Sequence, residues 1–355
     1  MNKKKILEAL ILKCRMRGFK IAFPESSDSR IVEAARFLLE QKVVDQVVFF
    51  QSEFAKTDVE KKYNRSYFNN FSSNMIFCEE KYPQLDLEMK EFFQQKNINS
   101  KKKFSKEEID LIVKQGLYKS VYLLREKRVD CVLAGCQLTT SEVIRCGLRV
   151  LDLSKNNNTL SSSFLMFREA SEQQEAFISF FADCGVVIDP SCEQIQDITK
   201  QTILSLNILK NIPLFSTLEP IVAFLSFSTK GSARHPRVEK MRNSFEIFRN
   251  NYPLIKCEGE IQFDAAYIQS IREKKIQKSS IDSMTPNIFI FPSLEAGNIS
   301  YKIAQYLGGC MALGPILQGF NRSLCDLSRG ASVEDIIFLS CLNLIKSKYE
   351  KNTIL

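Results

Sequence analysis

Short apolar runs that stop at turn residues, each followed by a helix-period segment, set the tightest limit on what this chain can fold into. The run FKIAF at 19–23 is ended by Pro24, residues 31–41 place Ile31, Ala35, Leu38 and Leu39 on one helical face, and QVVFF at 46–50 is a second apolar run. Strands too apolar to alternate must be covered on both faces, and intervening helices supply the cover, so the expected class is α/β with a mainly parallel sheet. The rhythm returns at 129–133 (VDCVL), which opens into an Ala134-Gly135-Cys136 turn and a helix carrying Arg145. A polar, linker-like stretch at 155–158 (KNNN) marks the start of a second unit. Strands are expected there near Phe164, Val186, Val222 and Phe289, with helices over 193–206 and 238–250. Residues 53–114 are polar, asparagine-rich and poorly periodic, and no chemistry is placed in them. There is no internal repeat or low-complexity tract.

Chemistry concentrates in residues 287–335. Phe289, Ile290 and Phe291 form a buried run stopped by Pro292, and LEAGN reads as a tight turn into a helical pattern at Ile299, Ile303 and Tyr306. Further on, Asp326-Leu327-Ser328-Arg329-Gly330 leads into Ser332-Val333-Glu334-Asp335, which has the form of a capping box. Ser328, Arg329 and the free N–H groups of a helix start would then gather at one point, an arrangement suited to phosphate. Each residue also has a plainer reading: Asp335 as a cap, Ser328 and Gly330 as turn formers, Arg329 as a solvated cation. A second candidate, Ser228-Thr229-Lys230-Gly231-Ser232, follows the apolar run 221–227 at a strand end, where open α/β sheets bind ligands. It lacks the glycine spacing of a Walker A loop, so it stays evenly divided between an ordinary turn and an anion cradle.

Composition narrows the function classes. The chain has 355 residues, enough for about two domains, and 49 basic against 41 acidic residues give a net charge of +8. That charge is spread out, with no basic stripe interleaved with aromatics, so nucleic acid is not an expected partner. The densest run, Lys101 to Lys103, reads as a solvated loop. The 11 cysteines show no CxxC pair and no companion histidines, so they are read as small buried hydrophobes in a reducing compartment, and no metal site is expected. Glu8 interrupts the apolar N-terminal stretch, which therefore reads as an amphipathic helix rather than a signal peptide, and no run approaches the roughly 20 apolar residues needed to span a bilayer. With 1 histidine, His235, and no tryptophan, histidine-dependent triads are hard to build, so acid/base work falls to Asp, Glu, Lys, Tyr or Cys unless His235 does it. His235 itself is read as a turn residue ahead of the 238–250 helix.

Several blocks together resemble the phosphate acetyltransferase (phosphotransacetylase) family: SFSTKGSARHP at 226–236, EGEIQFDAA at 258–266, FIFPSLEAGNISYKIA at 289–304, GPILQG at 314–319 and DLSRGASVED at 326–335. Shorter blocks extend the likeness in the same order: FPESSDSR at 23–30, AGCQLTTSEVIR at 134–145, SSFLM at 162–166 and FADC at 181–184. The resemblance implies two three-layer α/β/α domains with mainly parallel sheets and an active-site cleft between them. The first is expected to be 1–155 completed by 315–355, the second 156–314, with Ser328 to Asp335 facing Arg145 across the cleft.

The reaction implied is reversible acetyl transfer between acetyl phosphate and coenzyme A, with no tightly bound cofactor and coenzyme A as substrate. The resemblance assigns Asp335 as base for the thiol, Ser328 as donor to the tetrahedral oxyanion, and Arg329 and Arg145 as phosphate binders; Ser228, Thr229, Lys230 and Gly231 are further substrate-binding candidates. No covalent acyl-enzyme is required. A thiol near pKa 8.5 and an aspartate near 3.9 differ by about 4.6 units, roughly 6 kcal/mol against proton transfer, so the carboxylate must be desolvated by bound substrate or transfer must be concerted with attack. The family also implies a cytoplasmic homodimer acting on acetyl-CoA or CoA, acetyl phosphate and phosphate, with no membrane partner.

Three departures stand out. Ala331 and Leu138 stand where the family often has cysteine and histidine, and a family arginine ahead of a Lys-Gly turn has no match near residues 99–104. Lys101 to Lys103 replace its charge without the bidentate fork of a guanidinium. Rival readings are a phosphate butyryltransferase, a non-catalytic acetyl-CoA-binding regulatory domain, and a metal-dependent decarboxylating dehydrogenase; the set Arg145, Ser328, Arg329, Asp335 speaks against the second, and the lack of an aspartate cluster in the right context against the third.

Overall fold

The computed structural model describes residues 3–50, 74–99, 103–155, 157–172 and 176–349. Among the described residues eleven strands fall into two sheets, and the chain divides into two compact units, one made of residues 10–152 and 320–351 and the other of 1–9, 153–319 and 352–355.

The first sheet is wholly parallel in the order β11-β4-β1-β2-β3, where β1 is Lys20–Ala22, β2 Gln46–Phe49, β3 Met75–Phe77, β4 Cys131–Ala134 and β11 Ser323–Asp326. The chain steps outward from β1 to β2 and β3, then returns to the other side of β1 for β4 and β11. That reversal between β1 and β4 is a topological switch point, and it leaves a crevice at the strands' carboxyl ends. Helix Ser29–Glu40 covers the sheet with Ile31, Val32, Ala34, Ala35 and Leu38 buried. Leu39, expected on that face, lies at its partly exposed margin. The N-terminal segment is a helix, Lys3–Cys14, as its pattern predicts.

Residues 74–99 and 103–114, which showed no clear period, hold the edge strand β3 and helices Leu85–Asn99 and Lys106–Ile112. Helix Leu85–Asn99 buries Leu85, Met89 and Phe93, four residues apart, while polar residues fill the rest and weaken the signal. Lys101 and Lys102 lie outside the described residues.

The second sheet has the order β10-β5-β6-β9-β7-β8, with β5 Ser161–Arg168, β6 Phe177–Ala182, β7 Ile221–Leu225, β8 Lys256–Ile261, β9 Ile288–Ile290 and β10 Met311–Gln318. Strands β6, β9, β7 and β8 are parallel, while β10 and β6 run antiparallel to β5. Helices Cys192–Lys210 and Pro236–Asn251 match the expected helical spans.

Two expectations change here. Val186 lies in a bend, not a strand; the strand is the aromatic run Phe177–Ala182 just before it. LEAGN is no turn: Ser293 caps a helix, Leu294–Tyr306, by accepting from the Ala296 N–H, and Ile299, Ile303 and Tyr306 are exposed on it. Gly314 and Pro315 lie at a register shift inside β10. A domain boundary between 314 and 315 therefore falls within a strand of the second sheet.

All eleven cysteines are unpaired, and ten are buried. Burial pushes the Cys136 and Cys257 thiols up to about 12, which removes them as nucleophiles.

Candidate functional site

Three loops leave the carboxyl ends of β1, β4 and β11, and residues of the FPESSDSR block lock them together. Glu25, 4% exposed, accepts from four successive backbone N–H groups after β4. Its Oε2 takes Gly135 and Cys136 at 2.8 and 3.0 Å, and Oε1 takes Gln137 and Leu138 at 2.6 and 2.7 Å. Four aligned donors form an anion nest, and here an internal carboxylate fills it. Gly135 has φ +121°, and a Cβ on it would sit 2.7 Å from Asp326 Oδ1 and closer still to the Leu327 backbone, so only glycine lets this turn lie against β11.

Arg30 performs the second linkage. Asp28 both caps the Ser29 helix and holds the guanidinium at 2.7 Å, leaving Nη1 to donate to the carbonyls of Arg329 and Ala331, each at 2.8 Å. Nη2 reaches the Cys136 carbonyl at 3.3 Å. One cation thus ties the β11 loop to the β4 loop through backbone alone. Glu25, Asp28 and Arg30 enter the sequence reading only through a resemblance block; the jobs of Glu25 and Arg30 are hidden because the backbone groups they hold lie more than a hundred residues away.

Against this frame Ser328, Arg329 and Gly330 are exposed. Ser328 Oγ accepts from the Gly330 N–H at 3.3 Å, and the Arg329 guanidinium makes no hydrogen bond or ion pair among the described residues. Helix Val333–Tyr349 starts with the expected box: Ser332 Oγ accepts from the Asp335 N–H at 3.2 Å, while Asp335 Oδ2 accepts from the Ser332 N–H at 3.0 Å and its hydroxyl at 2.7 Å. Asp335 is therefore a cap in this structure, and its other oxygen marks the helix start.

Arg145 lies on helix Thr140–Val150, capped by Thr139 and Glu142. The Glu142 carboxyl is held below its usual range by the Thr139 donors first, with the charges of Arg145 and Arg329 adding to the effect. Both guanidinium groups thus lie near one carboxylate, and Arg145 sits in the same compact unit as residues 328–335 rather than opposite them across a domain boundary. Arg145, Glu142, Glu25, Gln137 and Leu138 line a cavity of ≈ 410 Å³ at the β1/β4 switch point.

Beneath the loops lies Asp326, fully buried, with Oδ2 accepting from Thr140 Oγ1 at 2.6 Å and Oδ1 without a partner among the described residues. Burial, aided by the nearby Glu25 charge, pushes its pKa up to about 6.

The Ser228–Gly231 segment belongs to the other unit and leaves the carboxyl end of β7. Lys230 and Gly231 have φ of 48° and 84°, in the region that favours glycine. Here the cation is spent internally. Lys230 Nζ lies 2.6 Å from Glu258, donates to the Gly259 carbonyl at 2.7 Å and sits 4.5 Å from the Phe245 ring centre. Glu260 accepts from Gly231 N–H at 2.7 Å, Ser228 Oγ at 3.0 Å and both arms of Arg242. Burial raises the Glu258 and Glu260 carboxyls, but the Lys230 and Arg242 donors outweigh it and hold both below the usual range. Thr229 bonds Gln262 at 3.1 Å. His235 caps helix Pro236–Asn251 by accepting from the Arg237 N–H at 3.2 Å, so the one histidine has a structural task.

Two mainly parallel α/β units, one with exposed cationic and hydroxyl groups in loops at its switch point, define an α/β protein whose strand ends have the make-up of an anion site. Residues 5–344 match the model of the phosphate acetyl/butaryl transferase family, and the chain belongs to that family. It is 33% identical over 330 residues to a phosphate acetyltransferase of Mycoplasma capricolum, covering 92% of this chain and 94% of that one. A phosphate acetyltransferase of Bacillus subtilis is 34% identical over 326 residues, again covering 92% and 94%. Among solved structures, a phosphotransacetylase from Streptococcus pyogenes superposes with a TM-score of 0.83 at 32% identity, covering 98% of this chain and 99% of that one. The resemblance read from the motif blocks is borne out.

Proposed function

We infer that this chain is a phosphate acetyltransferase, moving an acetyl group reversibly between acetyl phosphate and coenzyme A. Its family and full-length relatives carry the acyltransferase assignment. The observation that carries the site is the Ser328-Arg329 loop: a guanidinium without an ion pair among the described residues and a hydroxyl, held at a helix start by the Arg30 clamp.

In this reading Arg329 and Arg145 hold phosphate groups of the substrates, so that acetyl phosphate and thiol meet without a covalent enzyme intermediate. Ser328 donates to the carbonyl oxygen as it becomes an oxyanion, a contact stronger in the transition state than in the ground state. Asp335 takes the thiol proton. Its Oδ2 is held by Ser332, which fixes the carboxylate's direction, and desolvation by bound coenzyme A is what brings its basicity toward that of the thiol. Metal chemistry is not part of the reading. Substrate contact by Ser228, Thr229, Lys230 and Gly231 requires them to exchange the internal partners they now hold. No helix among the described residues is long and apolar enough to cross a membrane, and we place the enzyme in the cytoplasm as a homodimer, both by family likeness.

The test is phosphate-dependent formation of acetyl phosphate from acetyl-CoA, followed by thiol release, with Arg329→Ala in parallel. Activity in the wild type that falls by about 100-fold in the variant supports the assignment and its anion site. An inactive wild type that still binds acetyl-CoA points to the regulatory reading, and faster turnover of butyryl than acetyl phosphate to the butyryl one.

A further inference from the structure

The cavity at the β1/β4 switch point contains a cation that neither the motif blocks nor the reaction chemistry used. Arg149 follows Arg145 by four residues on helix Thr140–Val150, and both line the same ≈ 410 Å³ space. Like charges at that spacing repel on a helix, so the pair costs helix stability unless an anion lies between them. No carboxylate neutralises either guanidinium through an ion pair among the described residues. The two carboxylates in the wall are committed elsewhere, Glu25 to four amides and Glu142 to its cap at Thr139.

Arg149 is also held ready. Its Nη1 donates to Tyr118 Oη at 2.9 Å, its guanidinium carbon lies 5.2 Å from the Phe104 ring centre, and Lys96 Nζ donates to its carbonyl at 2.7 Å. A ring face and a phenol orient a guanidinium without cancelling its charge, and the remaining N–H groups keep the fork that grips phosphate. Pro24, Ile112, Leu117 and Leu138 add apolar lining suited to a flat heterocycle, and Gln115 and Gln137 add amides.

We propose that Arg149 is a second phosphate-binding residue of the coenzyme A site, gripping with Arg145 a phosphate at the nucleotide end of the substrate. The proposal rests on the reading that places coenzyme A against Arg145. It gives the site a second fork near the Phe104 end of the segment where residues 99–104 supply no arginine.

The experiment is steady-state kinetics in the acetyl-CoA-forming direction for wild type, Arg145→Gln, Arg149→Gln and Arg149→Lys, with KM measured separately for CoA and acetyl phosphate. Arg149→Gln should raise KM for CoA by about 10-fold, leave KM for acetyl phosphate within about 2-fold, and lower kcat less than it raises KM; Arg149→Lys should recover much of the loss. Repeating the assay with 3′-dephospho-CoA locates the contact. A penalty that vanishes assigns the 3′-phosphate, and one that persists assigns the diphosphate, either supporting the proposal. If KM for CoA rises in Arg145→Gln and not in Arg149→Gln, this proposal fails alone. If it rises in neither, the placement of coenzyme A in this cavity fails. A parallel rise in both KM values with a lower melting temperature would make Arg149 a packing residue and overturn the proposal.

Discussion

The loops at 228–231 and 328–330 share a chemistry on paper, each placing serine, a cation and glycine after an apolar strand, yet the structure treats them oppositely. Lys230 is neutralised by Glu258 and shielded by Phe245, whereas Arg329 carries its charge on the surface with no partner among the described residues. The difference comes from the neighbouring strand. Beside β7 runs β8, whose EGE sequence points two buried carboxylates at the loop; beside β11 runs β4, whose loop donates N–H groups to Glu25, while the nearby Glu142 is taken up by Thr139, so no carboxylate among the described residues forms an ion pair with Arg329. A basic turn is an anion site only when the strand next to it has not already supplied the anion.

The largest expected effect breaks this comparison on the open side. Asp335→Asn should lower kcat by about 10²- to 10⁴-fold with little change in KM, since asparagine can still cap but cannot take a proton. Rapid-quench or steady-state turnover checks this, and preserved kcat would leave Asp335 as a cap alone. On the closed side, Glu258→Gln strands Lys230 and should destabilise the protein by about 2–3 kcal/mol in urea unfolding, less than for a fully buried pair because Lys230 is 34% exposed. The double change Lys230→Met with Glu258→Gln should recover part of that loss. If it instead abolishes phosphate-dependent activity in a stable protein, the internally paired lysine does meet substrate.

The smallest effect concerns the buried carboxylate beneath the open loop. Asp326 titrates at about 6 when folded and at 3.8 as a free group, so the folded state holds its proton more tightly and wild-type stability falls as pH rises from about 4 through 6. Asp326→Asn has no such titration, and its stability relative to wild type should improve by about 2 kcal/mol between pH 4 and pH 7. A pH-independent difference in melting or urea midpoint would mean that Asp326 stays ionised and paired.

Much of this fold was legible because its signals are local. The runs at 19–23, 46–50 and 129–133 contain strands, Ser332 opens the expected capping box, and His235 sits ahead of the expected helix, where it proves to be the cap. The segment around Val186 failed for a local reason as well: the aromatic run at 177–182 carries the pairing, and Asp183 then ends it by accepting from Gly185, Val186 and Val187. Ile299, Ile303 and Tyr306 have helical spacing and do form a helix, but periodicity cannot say whether an apolar face meets the core, and theirs is exposed.

By itself the sequence determined the α/β class, most element positions, the capping box at Ser332 and Asp335, and the family. These depend on residues within a few positions of one another or on whole blocks in order. Only the tertiary structure decided which charges remain available. Arg30 reaching residues 329 and 331, Glu25 filling the nest at 135–138, Glu258 taking Lys230, and Arg149 joining Arg145 in one cavity all depend on which strands and loops become neighbours. That adjacency is set by sheet order and burial, whose partners lie far apart along the chain.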